Sequence, residues 1–217
     1  VPSEELDLGH RTSALKTGKL QGIVLGVTFS LEPAEDSFSI PILYDQLADA
    51  LGVTSGERAP LVRTRETVRA IRSSKGMLLD SADPDSVSSG SFFMNPVVSE
   101  KISLSLPGEA PRWFVGEEPG DVVVPLDSPP PQGPTLAEPG SVKVSAAWLI
   151  EYSGIPKGFA LPGSRAAISS KHSLAITNRG GASASEIAEL ARYVITTVGN
   201  KTGIYLVPEP TLVGLEL

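Results

Sequence analysis

The stretch "ASASEIAELARYVITTVGNKTGIYLVPE", residues 182–209, decides the fold. Ser183 followed three residues later by Glu186 is a capping-box pattern, in which a hydroxyl and a carboxylate satisfy each other's backbone amides at a helix start. Ile187, Leu190, Ala191, Val194, Ile195 and Val198 then recur at helical spacing, so the sequence predicts a helix over 184–198 with one apolar face. Gly199-Asn200 reads as its stop, and "GIYLVPE" as a strand.

Weaker copies of the same signals lie upstream. "SAAWLIEYSG" predicts a helix with Ser145 as cap and Gly154 as stop. "IPILYDQLADALG" predicts a short helix with apolar Ile42, Leu43, Leu47 and Leu51, ended by Gly52. Thr64 reads as the cap of a further helix, "RETVRAIRSSK", with Val68 and Ile71 turned inward and Arg65, Arg69, Arg72 and Lys75 on a solvated face. Residues 20–31, "LQGIVLGVTFSL", alternate, so Ile23, Leu25, Val27, Phe29 and Leu31 predict one face of a half-buried strand. Proline and glycine crowd residues 116–140; missing amide donors and fixed φ predict a surface loop there. Helices and strands intersperse without a βαβ rhythm, which predicts an α+β fold: a mixed or antiparallel sheet with packed helices.

The bulk numbers narrow the function classes. A chain of 217 residues can bury a sizeable core. Its net charge of −7 repels phosphate polymers and anionic membranes, so neither nucleic acid nor a membrane is an expected partner. Cysteine is absent, which removes disulfides, thiolate metal ligands and Cys nucleophiles. His10 and His172 have no third ligand at metal spacing, and the sequence holds neither G-x-G-x-x-G nor a P-loop. Ser91 with His172 suggests a hydrolase pair, but "GSFF" lacks the G-x-S-x-G elbow.

Four motifs in one order carry more: "GHRTSALK", "SGSFFMNPVVS", "GIPKGFALPGSRAAISSKHSLAITNRGGASASEI" and "YLVPEPTLVG". Together they resemble the carboxy-terminal part of the UDP-N-acetylenolpyruvoylglucosamine reductase family, from about residue 8 to residue 217. The resemblance implies a bacterial cytoplasmic flavoenzyme of peptidoglycan synthesis. NADPH reduces its FAD, and the flavin reduces UDP-N-acetylglucosamine enolpyruvate to UDP-N-acetylmuramate. It implies that Arg11 and Glu209 flank the substrate carboxylate and that Ser91 delivers a proton. Tyr44, Lys75, Asn95, Trp113, Lys157 and His172 match positions expected to contact the UDP-sugar.

Residues 1–60 read as the tail of a flavin-binding domain with a Tyr44-bearing insertion, and 61–217 as the substrate-binding domain. The family's glycine-rich flavin loop has no counterpart here, and the polar start without Met reads as a truncation. The expectation is therefore that these residues alone bind FAD poorly and are inactive without an amino-terminal FAD-binding domain. A UDP-sugar-binding module or scaffold paralogue without redox activity is the alternative. Departures from the family pattern are His10 beside Arg11, Met94 after the rings, Pro210-Thr211, and the length of the Pro-rich stretch.

Overall fold

A computed structural model of the chain describes residues 1–9, 12–31, 33, 36–115, 140–215 and 217. His10, Arg11 and the Pro-rich segment 116–139 lie outside the described residues. The fold is α+β, as the sequence predicts: two small antiparallel sheets and five α-helices among the described residues.

The carboxy-terminal helix α5 spans Ala184–Thr202, and both halves of the capping box between Ser183 and Glu186 are made. It lies on the first sheet, whose strands β1 (Ser88–Ser91), β5 (Ala166–Ile168) and β6 (Ala175–Asn178) run in the order β1-β6-β5. Leu190, Ala191, Val194 and Val198 are completely buried, against Ile168, Leu149 and Ile150 among others. Burying each of the larger of these side chains is worth about 1.5–3 kcal/mol, so α5 and the first sheet form the rigid floor of the molecule.

α5 runs past the predicted stop at Gly199-Asn200 and ends at Gly203, whose φ is +73°. Gly199 has a packing reason instead: a Cβ there would stand 2.4 Å from the ring of Tyr205. The chain then returns alongside residues 92–94. "GIYLVPE" forms only a single antiparallel bridge, Phe93 with Pro208, flanked by backbone hydrogen bonds from Met94 to Val207 and from Glu209 to Phe92.

The second sheet has the order β2 (Val97–Ser99), β4 (Ser141–Val144), β3 (Arg112–Phe114). Helix α3, Glu100–Leu104, follows β2 directly. α4, Ala146–Tyr152, starts at the end of β4, where the Ser145 hydroxyl accepts from the Trp148 amide at 3.2 Å, and Gly154 with φ +86° follows it as predicted.

Near the amino end, α1 (Asp45–Leu51) packs against α2 (Leu61–Ser74), with a small core of Ile42, Ala48, Leu51 and Ala59. Gly52 ends α1 in a left-handed conformation, as predicted, but Leu43 is exposed. Thr64 does not cap α2. The helix begins a turn earlier, after Pro60, and the Thr64 hydroxyl donates back to the Pro60 carbonyl at 3.1 Å. No residue of α2 is fully buried: Val68, predicted to turn inward, is exposed, and Ile71 is only partly covered.

The predicted strand at 20–31 is overturned. These residues make no ladder, and Ile23, Leu25, Val27, Phe29 and Leu31 are all largely exposed. Alternation marks a segment fit for a sheet face, but none of the described residues forms a ladder with it. Among the described residues no helix is long and apolar enough to cross a membrane.

Candidate active site

The serine motif sits where β1 leaves the first sheet. Ser88 pairs with Thr177 but Ser91 pairs with Ala175, so β1 carries one extra residue, a β-bulge. A bulge bends its strand and re-aims the side chain that follows it, here Ser91. Gly90 supports the bend with φ +80°, and its amide is received by the Ser88 hydroxyl at 3.2 Å. A Cβ on Gly90 would meet nothing within 4 Å, so the position needs glycine for its backbone angle and not for close approach. Phe92 and Phe93 are buried, edge to face with centroids 5.1 Å apart, and pin the exit of the loop to the core.

This places Ser91 in a cleft of about 550 Å³ lined by Ser89, Ser91, Glu209 and Pro210. Glu209 arrives from the other end of the chain through the hydrogen bond of its amide to the Phe92 carbonyl, 2.9 Å. His172 also approaches Ser91, with Nε2 3.5 Å from the serine Oγ. His172 lies in the turn joining β5 to β6, where its amide donates to the Ser169 hydroxyl at 3.1 Å.

The electrostatics around His172 gather three more groups. Burial pushes its pKa down from the ordinary imidazole value; the ammonium charges of Lys75 and Lys157 push the same way, and the Glu151 carboxylate opposes them. His172 is therefore neutral at pH 7, a hydrogen-bonding group rather than a cation. Lys157 lies 3.9 Å from Glu151, whose carboxylate also accepts a hydrogen bond from the Ser173 hydroxyl. Lys75, at the end of α2, donates to Gln46 of α1 at 2.7 Å, and Tyr44, at the start of α1, is exposed on the same pair of helices.

Two of the sequence-predicted contact residues have other neighbours. Asn95 accepts from the Ala146 amide at 2.9 Å and so holds the start of α4. Trp113 lies on β3 directly across from Lys143, half-exposed, in the second sheet. Arg11 lies outside the described residues. Sequence reasoning missed Glu151, whose local sequence does not mark it because His172 comes from a distant part of the chain; Ser89 and Pro210 lie in the quoted motifs beside Ser91 and Glu209, but the motifs alone give them no site role.

Two hydroxyls, a neutral imidazole and two carboxylates, with two ammonium groups within electrostatic reach, suit an anionic, hydroxyl-rich ligand. The sequence comparisons point the same way. Residues 83–213 match the family described as UDP-N-acetylenolpyruvoylglucosamine reductase, C-terminal domain. A protein of Leifsonia xyli subsp. xyli with that reductase name is 52% identical over 98% of this chain and 59% of its own length. Reductases of the same name from Streptomyces avermitilis and Mycobacterium tuberculosis are 43% and 41% identical, each over 100% of this chain and 56% and 55% of their own lengths. The chain thus spans little more than half the length of these relatives.

Proposed function

The chain belongs to the UDP-N-acetylenolpyruvoylglucosamine reductase family, and from that premise we propose that it forms the substrate-binding part of a reductase that converts UDP-N-acetylglucosamine enolpyruvate to UDP-N-acetylmuramate, in peptidoglycan synthesis in the bacterial cytoplasm. Residues 61–217 take the role of the substrate domain and residues 1–60 belong with the flavin-binding part.

The observation that carries this reading is the meeting of Ser91 and Glu209 in one cleft, from sequence positions more than a hundred residues apart. Reduction of an enolpyruvyl ether adds hydride to one alkene carbon and drives negative charge into the adjacent carboxylate. The neighbouring carbon must then receive a proton. Ser91 is the donor: a hydroxyl is a weak acid in water, but a carbanion-like carbon is a strong base once geometry is fixed. Arg11 and Glu209 flank the substrate carboxylate, and the Arg11 guanidinium stabilises its growing charge. His172, Lys75 and Lys157 face the diphosphate, where ammonium charge meets phosphate oxygen and the neutral imidazole donates a hydrogen bond. Tyr44 and Trp113 offer ring faces to the nucleotide, and the Asn95 amide adds a polar contact to the sugar.

In the complete reductase FAD, reduced by NADPH, would supply the hydride. The cleft itself does not fit the flavin. Its lining of Ser89, Ser91, Glu209 and Pro210 offers neither a flat apolar slot nor a row of backbone amides for a pyrophosphate. The flavin is therefore assigned to other residues, and these residues alone should bind FAD weakly and fail to oxidise NADPH. Mixing a purified sample with FAD and recording its visible spectrum checks that directly.

Ser91→Ala in the complete reductase tests the reading. Flavin reduction by NADPH should stay within about twofold, while reoxidation by the enolpyruvyl substrate slows by roughly 10²–10⁴-fold, the usual worth of a positioned acid. Normal reoxidation in that variant would remove Ser91 from the chemistry. The alternative, a binding module without redox activity, predicts substrate binding with no reoxidation in the wild type either.

A further inference from the structure

Asp85 is buried although it carries a charge. It lies in the short 3₁₀ turn Pro84–Ser86 that leads into β1. One carboxylate oxygen accepts from the Ser170 amide at 2.9 Å and the other from the Ser170 hydroxyl at 2.5 Å. Asp83, two residues earlier, accepts from the Asp85 amide at 3.1 Å and from the Lys171 ammonium at 2.8 Å. The two carboxylates of "DPD" therefore grip "SSK", the three residues before His172. Ser169 completes the grip, its hydroxyl accepting from the amides of Lys171 and His172 at 3.0 and 3.1 Å.

The opposite side of Asp85 is closed by Gly76, the residue after Lys75. Gly76 has φ +67°, and a Cβ there would stand 2.9 Å from the Asp85 Cβ and 3.1 Å from its carbonyl oxygen. Asp85 is thus wedged between the turn that carries His172 and the helix end that carries Lys75. Burial works against its charge, but the Ser170 and Ser169 hydrogen bonds and the Lys171 charge prevail and hold its carboxyl below the usual range.

We propose that Asp85 is a positioning residue: the wedge it makes between Gly76 and Ser170 sets the distance between Lys75 and His172, and so the fit of the site to the diphosphate of a nucleotide sugar. This rests on the function proposed above for which anion is bound, but the geometry of the wedge does not.

Two measurements on this chain test it. The first is the affinity for UDP-N-acetylglucosamine by calorimetry in the wild type, Asp85→Asn and Ser170→Ala. The second is the titration of His172 by NMR of its ring, assigned with His172→Gln. Asp85→Asn keeps the shape but has one oxygen in place of the two that receive the Ser170 and Ser169 donors, so affinity should fall roughly tenfold, the scale of a lost hydrogen bond to a charge. The His172 pKa should also rise toward its ordinary value as the turn moves away from Lys75. Ser170→Ala, which leaves the carboxylate intact, should shift both readouts the same way and covers the case in which Asp85→Asn fails to fold. Affinity within twofold and an unmoved titration in a folded variant would overturn the proposal. A wild-type chain that ignores UDP-N-acetylglucosamine would count against the proposed function instead. In that case the histidine titration alone decides whether Asp85 positions the turn.

Discussion

The His172 imidazole stands 3.5 Å from the Ser91 hydroxyl, across a separation of 81 residues in sequence. The contact ties the β5–β6 turn to the bulged end of β1, and the ring's loss of basicity follows from where it is held.

That loss has a sign in stability. A histidine whose folded pKa lies below its unfolded value stabilises the fold above the unfolded value, and the effect is lost as pH falls through the folded one. Between about pH 7.5 and about pH 5, the wild type should therefore lose more unfolding free energy than His172→Gln. Urea midpoints at four or five pH values measure the difference; parallel curves would mean that the ring titrates normally.

Asn95 is expected to matter for folding. Its Oδ1 satisfies the Ala146 amide at the start of α4, a helix end that contributes Leu149 and Ile150 to the core. Asn95→Ala should cost about 1 kcal/mol, as loss of a helix cap does, and lower Tm by roughly 2–4 °C for a chain of this size. Asn95→Asp keeps the acceptor and should stay near wild type. Thermal unfolding of the pair checks this, and equal losses in both would point away from capping.

Gly76 and Gly90 both have positive φ, but only Gly76 faces atoms within reach. Gly90→Ala should cost about 1 kcal/mol from backbone strain alone, whereas Gly76→Ala adds a collision with Asp85 and should reach roughly 2–3 kcal/mol. Denaturant midpoints measured side by side give the order, and a reversed order would contradict the close approach of Gly76 to Asp85.

Ser183→Ala should destabilise the chain by about 1 kcal/mol, because the capping box at the start of α5 loses its hydroxyl. Glu186 is held to about 2 by the Ser183 and Arg165 amides and the Ser183 hydroxyl. Its stabilising effect is thus present above the ordinary carboxylate range and fades as pH falls toward 2. Glu186→Gln should flatten that acid limb of the stability curve, which acid titration of the far-UV signal records.

The parts of the fold legible in sequence are those set by neighbours three or four residues apart. The box at Ser183, the caps at Ser145 and Gly154 and the stop at Gly52 are all of this kind. The rest depends on partners far along the chain. Gly199 reads as a helix stop until the Tyr205 ring is seen against it. The alternation at 20–31 describes a face, and a face says nothing of whether a neighbour exists. The same limit applies to the site. The serine motif is visible because it is contiguous, but the bulge that aims Ser91 needs β6 beside it, and the Asp85–Ser170 wedge joins residues 85 positions apart. Asn95 drew attention as a motif residue, and only the fold reveals that Ala146 already engages one of its atoms.

The exposed side chains of Ile23 to Leu31 have a practical side. An exposed run of alternating apolar residues that forms no ladder among the described residues is a template for strand addition between molecules. Concentrated samples of these residues should drift toward oligomers and fibres before the core around α5 loosens. Light scattering at rising concentration would reveal the onset, and lysines in place of Ile23 and Leu25 should delay it without moving the melting temperature.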